Sequence, residues 1–441
     1  MHSWQKGERA KMKNRRILPW RWLAFWLSVF ALPLTSVGVE AQLPEFMNRL
    51  GGGRVAQSGF KEVIDFTYVS GWICIKARLN DEEQDRRFIL DTYSVCLLRE
   101  GLQSIPGLDV LDATKDLGGK FEGTPMRPLF PKFRKVRIGR VVFEDIGAMV
   151  LSESSGSAVA SMLEDGLIGA NLMRHCLWQV DFEHRKITLA DRIEALEGLE
   201  NAVRIPFRPK PLQYSPDVEV ILDGGEKASL QFDTGATGFI SLLTPSLKSL
   251  VDSGKAVAWT AHLDRFIEEP GATGIETHYF VRVPSLELGS CVFENLAVAV
   301  LNPSKSELMN RGNLGLEFMK NFIVTFDWTS NTIWLAPIAG KEPKRNIRTV
   351  GFTYGYRDGA MRISSIYAGS PAEKAGLRID TPILSINGKP VDRLTGDEVR
   401  RFKNGDLAFS TAEDKEITLE LLIEGKKVSM SFASYELFTD N

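Results

Sequence analysis

The chain has 441 residues, 44% of them hydrophobic and 25% charged, the composition of a globular protein with more than one core. Its 54 Lys and Arg nearly balance its 56 Asp and Glu, giving a formal net charge of -2. That balance offers no electrostatic reason to expect nucleic acid or an anionic membrane surface as a partner.

The N-terminal segment departs from this average. Lys6, Arg9, Lys11, Lys13, Arg15, Arg16 and Arg21 precede an apolar run from Leu23 to Leu34, and Val39-Glu40-Ala41 follows as a small-x-small exit. A positive start, a short apolar middle and a small-residue end are the layout of a secretory signal, expected over 1–41. The expected location is therefore exported, periplasmic or secreted, with membrane contact only if this segment stays uncleaved.

Beyond it, three blocks occur twice in the same order. "RRFILDTYSVCLL" has its counterpart in "SLQFDTGATGFISL", which sets Asp91 against Asp233, 142 residues later. "VRIGRVVFEDIGAMVL" from Val136 parallels "LELGSCVFENLAVAVL" from Leu286, 150 residues later, and "GANLMRHCLWQVDFEHRKITLA" from Gly169 parallels "GLEFMKNFIVTFDWTSNTIWLA" from Gly315, 146 residues later. A nearly constant offset implies two copies of one supersecondary unit, expected over 55–198 and 199–337. Short runs rich in Val, Ile, Phe and Trp between Gly, Pro, Asn and Asp read as strands. One short helix is expected per copy, Arg99 to Ser104 and Pro245 to Ser253. Each copy also holds a Gly-bearing stretch, "LGGKFEGTP" from Leu117 and "EPGATGIE" from Glu269, that reads as a hairpin.

Cys74, Cys96, Cys176 and Cys291 lie singly in apolar runs without a Cys-x-x-Cys; export would allow them to pair, and their apolar settings favour buried thiols. The five histidines form no His-Glu-x-x-His, and no Gly-x-Ser-x-Gly occurs. Zinc and serine hydrolase chemistry therefore lack their signatures, and no metal or cofactor is expected.

An Asp between apolar strands is ordinarily a turn former. Duplication with rotation would instead set Asp91 and Asp233 opposite each other. Two carboxyls about 3 Å apart cannot both ionise easily, so one proton is retained and the pair can act as general base and general acid together. Thr92 and Thr234 would bond across the axis, and Gly235, lacking a side chain, would let backbone and substrate approach.

These features resemble the retropepsin-like aspartic proteases in a tandem, single-chain form. The resemblance rests on Asp233-Thr234-Gly235-Ala236, the degenerate Asp91-Thr92-Tyr93-Ser94, and Leu167-Ile168-Gly169-Ala170-Asn171-Leu172 with its counterpart Asn313-Leu314-Gly315-Leu316. It implies a mainly β fold with two acid-protease β-barrel lobes. It also implies Asp91 and Asp233 as the catalytic pair, Thr92 and Thr234 as interlobe support, and Gly235, Ala236, Tyr93 and Ser94 along the substrate approach. The implied reaction is hydrolysis of a peptide or protein substrate by activated water. Tyr93 stands where the family has Gly, pointing into the cleft or distorting the loop, and this keeps a non-catalytic peptide-binding reading open. Since one chain supplies both halves, a monomer is expected.

After Pro337, "IAGKEPKRNIRTV" reads as a linker over 338–350, and a third unit follows over 351–436. Its "GSPAEKAGL" from Gly369, followed by Ile383 to Gly388, resembles a PDZ domain, a small α+β module. That resemblance implies capture of an extended peptide or its C-terminus at a sheet edge, with Tyr354-Gly355-Tyr356 as the carboxylate-binding loop. Asp380-Thr381 stand where Gly-Asp is usual.

Overall fold

The computed structural model describes residues 45–69, 71–114, 119–121, 124–126, 128–151, 164–211, 213–252, 256–264, 273–301, 312–343, 345–357, 360–393 and 416–438. The expected signal segment lies outside them. Aromatic and β-branched runs suit the pleated, half-buried surface of a sheet, and the protein is mainly β with a β-barrel. Among the described residues, no helix is long and apolar enough to cross a membrane.

The first repeat is preceded by α1 (Glu45–Gly51), which buries Phe46, Met47 and Leu50. Its strands are β1 (Arg54–Val55), β2 (Lys61–Asp65), β3 (Thr67–Val69), β4 (Trp72–Leu79), β5 (Arg86–Asp91), β6 (Leu97–Arg99) and β7 (Asp109–Asp112). There follow the short hairpin of β8 (Gly119–Phe121) and β9 (Thr124–Met126), then β10 (Leu129–Ile138), β11 (Val141–Gly147), β12 (Met149–Leu151) and β13 (Gly166–Gly169). α2 (Ala170–Met173), β14 (Leu177–Asp181) and β15 (Lys186–Ala190) close the unit. β13 runs parallel to β5, with Gly169 opposite Asp91, and antiparallel to β6. Buried Asn171 then ties three segments: its Oδ1 accepts from the Cys96 amide at 2.8 Å, and its Nδ2 donates to the carbonyls of Gly147 at 2.8 Å and Leu50 at 3.2 Å. The helix expected at Arg99 to Ser104 is instead the end of β6 and a single 3-10 turn over Leu102–Ser104. Gly101 between them has φ 95°, which stops an α-helix from starting earlier.

The second repeat follows the same plan. It comprises β16 (Val203–Pro209), β17 (Pro216–Leu222), β18 (Lys227–Phe232), β19 (Ile240–Leu243), α3 (Thr244–Leu250), β20 (Val257–Asp264) and β21 (Thr273–Leu288). β22 (Cys291–Leu301), β23 (Gly312–Leu314), α4 (Leu316–Met319), β24 (Phe322–Asp327) and β25 (Thr332–Pro337) complete it. β23 runs parallel to β18 and antiparallel to β19, as β13 does to β5 and β6. The helix expected from Pro245 forms as α3, with Pro245 in its first turn, where a missing N–H is tolerated. β20 and β21 form a hairpin paired from Val257↔Phe280 to Asp264↔Thr273, and its connecting residues lie outside the described ones.

One sheet runs through both repeats in the order β2-β15-β14-β24-β25-β16. At its centre β14 and β24 are antiparallel, and Gln179 faces Thr325, its own counterpart at the repeat offset, donating from Nε2 to Thr325 Oγ1 at 3.2 Å. A strand pair in which a residue meets its own counterpart is what rotation about a twofold axis produces. The same hydrophobic core takes side chains from both repeats, Trp178 and Phe143 from one and Phe232 and Phe326 from the other. Three of the four cysteines are buried and all four are free thiols.

The C-terminal unit contains β26 (Arg348–Thr349), β27 (Phe352–Arg357), β28 (Ala360–Tyr367), α5 (Pro371–Lys374), β29 (Ile383–Ile386), β30 (Lys389–Pro390), β31 (Glu416–Ile423), β32 (Lys426–Ala433) and β33 (Tyr435–Glu436). It has its own core, with Phe352, Tyr354, Ile363, Leu377, Leu419 and Phe432 buried together. Ser370 caps α5 by accepting from the Glu373 amide at 3.0 Å, while the Glu373 side chain accepts from the amide of Gly369, the residue before the cap, at 2.7 Å. The expected linker is fixed at both ends: Ile338 donates its amide to Asn321 O at 3.3 Å, and Arg348–Thr349 pairs with β33. The unit also joins the second repeat edge to edge, because β28 pairs with β20.

Gly315 shows how tightly the glycine strands pack under the Asp-Thr loops. A Cβ there would lie 2.3 Å from Gly238 O and 2.7 Å from Ala236 O, whereas a Cβ on nearby Gly238 meets nothing within 4 Å. Gly315→Ala is expected to lower unfolding free energy by about 1–3 kcal/mol, as overpacking against backbone does. Gly238→Ala is expected to stay within about 0.5 kcal/mol of wild type in the same denaturant titration.

Candidate active site

β5 ends on Asp91 and β18 stops one residue before Asp233, so each carboxyl follows directly on three buried residues, Phe88–Leu90 in one strand and Leu230–Phe232 in the other. In each turn a backbone amide two residues on holds the carboxylate. The Tyr93 amide donates to Asp91 Oδ1 at 2.8 Å, and the Gly235 amide to Asp233 Oδ1 at 2.7 Å. Tyr93 thus supplies the same polar support to its Asp as Gly235 does.

Thr92 and Thr234 are fully buried and bonded reciprocally. The Thr92 amide donates to Thr234 Oγ1 at 2.9 Å and the Thr234 amide to Thr92 Oγ1 at 3.0 Å. The Thr92 hydroxyl donates to Phe232 O at 2.7 Å and the Thr234 hydroxyl to Leu90 O at 2.9 Å. Two of these bonds join loop to loop, and one from each hydroxyl fastens its loop to the strand that carries the other.

The result is contact between the two carboxyls. Asp91 and Asp233 share a side-chain hydrogen bond. Burial is the main cause that raises both acids above the ordinary carboxylate range, Asp91 to about 6. The negative charge of Asp91 raises Asp233 further, and the bond from Asp233 draws Asp91 back down. The two acids therefore titrate as one coupled pair, both above the ordinary carboxylate range. Gly235 covers Asp91 closely: a Cβ on it would fall 2.7–2.8 Å from all three atoms of that carboxylate.

Two further contacts cross between the repeats. Trp72 Nε1, at the start of β4, donates to Gly235 O at 2.5 Å, and Gln213 Nε2, just before β17, donates to Tyr93 O. Neither was read from sequence as part of the site. The only signal for them was position, since both precede the strand that leads toward an Asp-Thr loop. The Tyr93 phenol turns to the second repeat, where its hydroxyl donates to Asp217 Oδ1 at 3.4 Å and Lys210 Nζ sits 4.7 Å from the ring centroid. It is therefore not wedged between the carboxyls. Ser94 and Ala236 direct their carbonyls to the amides of Ala170 and Leu316, both at 2.8 Å, which seats each loop on the helix behind it. Among the described residues no group of three or more His, Cys, Asp or Glu side chains is placed to hold a metal.

In the C-terminal unit, Tyr354, Gly355 and Tyr356 correct a sequence expectation. They lie inside β27, paired with Ile363, Arg362 and Met361, and Tyr354 is a core residue. They form a strand, not a carboxylate-binding loop. The chain leaves its loop conformation earlier, at Gly351, with φ 88°. Asp380 adopts φ 67°, the left-handed region a glycine would take, and is held by Arg362 Nη1 donating to its carbonyl at 2.9 Å.

Residues 362–404 match the family profile of the PDZ domain, so this part of the C-terminal unit is a PDZ domain. PDZ domains typically bind peptide C-termini or proteins. No curated protein matches the chain.

Two outcomes follow from this geometry. Thr92→Val keeps the shape but leaves the Thr234 amide and the Phe232 carbonyl without their buried partner, and is expected to cost about 2–5 kcal/mol in denaturant unfolding. Asp91 has a folded pKa above its unfolded value of 3.8, so the folded state holds the extra proton and stability is lost as pH rises from about 4 to about 6. The stability difference between wild type and Asp91→Asn is expected to fall across that window by roughly 1–3 kcal/mol.

Proposed function

We propose that the protein is an exported aspartic-type endopeptidase that cleaves peptide bonds with water activated by Asp91 and Asp233, and that its PDZ domain recruits the peptide or protein substrate. The observation that carries this reading is the hydrogen-bonded carboxyl pair on loops braced by each other's threonines. In the singly protonated pair, Asp91 takes a proton from water held between the carboxyls. Asp233 donates its own proton to the carbonyl oxygen of the scissile peptide. Asp91 then gives its new proton to the nitrogen as the C–N bond breaks, Asp233 takes a proton from a diol hydroxyl, and the pair recovers its single proton. No covalent intermediate is needed, and the reaction titrates as a pair, not as two separate residues.

Tyr93 is the residue that favours a binding-only reading, and its surroundings weigh against that. Its amide supports Asp91 as a glycine amide would, and its ring is engaged by Lys210 and Asp217. Tyr93 acts in this reading as one wall of the substrate path, narrowing which side chains fit beside the dyad. The basic, apolar and small-residue layout of 1–41 supports export, and the repeat supplies both carboxyls within one chain, which supports a monomer.

Cleavage of a mixed peptide pool tests the reading. Wild type is expected to cleave, with an acid limb near pH 6, because the productive state requires Asp91 ionised. Asp91→Asn and Asp233→Asn are each expected to lower the rate by at least 10²-fold, the lower end of general acid–base contributions. Equal cleavage by wild type and both variants would remove the dyad from the chemistry. Gly235→Ala is expected to abolish cleavage with the carboxyls intact, by driving a methyl into Asp91.

A further inference from the structure

The PDZ domain is not a separate bead on a string. β28 lies between β27 and β20, so the PDZ sheet and the hairpin of the second repeat are one sheet. Trp259, Thr260 and Ala261 of β20 pair with Tyr367, Ile366 and Ser365 of β28, and the Ala368 amide donates to Ala258 O at 2.8 Å. Rings from three strands pack at this seam. Trp259 stacks on Phe280 at 5.6 Å, and Tyr367 lies 5.5 Å from Phe280 and 6.3 Å from Trp259. A second grip comes from the chain after β33. Phe438, bonded through its amide to Asn346 Oδ1 at 2.9 Å, lies under the Arg282 guanidinium of β21 at 5.4 Å.

β21 is one unbroken strand of 16 residues that passes through this seam. Its far end, Leu286–Leu288, pairs with Leu222–Val220 of β17. β17 in turn pairs with β18, with Asp217 opposite Gln231, two residues before Asp233. Asp217 is also the residue that receives the Tyr93 hydroxyl. At its other end, β27 pairs with β28 alone among the described strands, so its outer edge is where an extended peptide can add.

We infer that a peptide docked on β27 is felt at the carboxyl pair, through the run of paired strands β27, β28, β20, β21, β17 and β18. Adding a strand to β27 stiffens β28, and β28 cannot shift without carrying β20 and the three-ring seam with it. A ligand that favours one arrangement of β27 and β28 therefore biases the strands paired with them. This rests on the peptidase reading only for its consequence, which is that PDZ occupancy sets the cleavage rate.

Hydrogen exchange on the full-length Asp233→Asn chain tests the coupling without requiring cleavage. The probe is a pool of short random-sequence peptides with free C-terminal carboxylates, with the amidated pool as control. With the free-carboxylate pool, amides of β27, β28, β20, β21, β17 and β18 are expected to exchange more slowly together, by about fivefold or more. Adding Trp259→Ala is expected to keep the protection of β27 and β28 and lose that of β20 and β21. Protection confined to β27 and β28 in both chains overturns the inference. If the pool protects nothing, the ligand-free comparison decides: Trp259→Ala must speed exchange in both β28 and β18, and an unchanged β18 overturns the coupling. Cleavage by the wild-type chain is scored separately. Absent cleavage with coupled exchange sinks the peptidase reading alone, and cleavage with uncoupled exchange sinks this one alone.

Discussion

Two buried threonine hydroxyls hold the centre of this molecule. Each accepts an amide from the opposite loop and donates to the carbonyl of the opposite strand, so neither Asp-Thr turn has a complete set of hydrogen bonds by itself. Buried polar groups left unpaired are expensive, and this makes the joined arrangement the one in which both turns are satisfied. The β14–β24 ladder and the shared core supply the area of the junction, but the threonines set its register at the carboxyls. Trp72 and Gln213 extend the same logic outward, each closing a carbonyl on the other repeat's loop.

The electrostatics follow from that constraint. Holding two carboxyls together in a largely desolvated place raises both pKa values, and amides from Tyr93 and Gly235 partly offset the cost. The pair is uneven, because Asp91 gains from the bond with Asp233 while Asp233 bears the repulsion of Asp91. The two carboxyls therefore behave as one coupled unit, and it is their placement that makes them so.

Much of this was legible in the chain. The repeat offset locates both Asp-Thr turns and the glycine strands beneath them, because a duplicated strand pattern fixes topology before any side chain is placed. The direction of the Tyr93 ring was not legible, since it depends on Lys210 and Asp217, which belong to no repeated block. The loop assigned to Tyr354–Tyr356 was a strand, because Gly355 signals a turn and an edge strand equally well when its neighbours are aromatic. At 99–104 the expected helix gives way to a 3-10 turn, because Gly101 takes the left-handed backbone that its sequence neighbours do not announce. Nothing in the sequence marks β20 and β28 as partners: edge pairing between distant strands uses backbone groups that every residue carries.

Fusion of the two copies into one chain has a chemical consequence at the axis itself. In an assembly of identical halves, the residue on a twofold axis must face itself, and an amide would meet an amide or a hydroxyl a hydroxyl. Here Gln179 meets Thr325, so an amide donor finds a hydroxyl acceptor and the contact acquires a direction. The same freedom admits a bulky aromatic after one Asp-Thr and a glycine after the other. Left and right have become distinguishable at the axis.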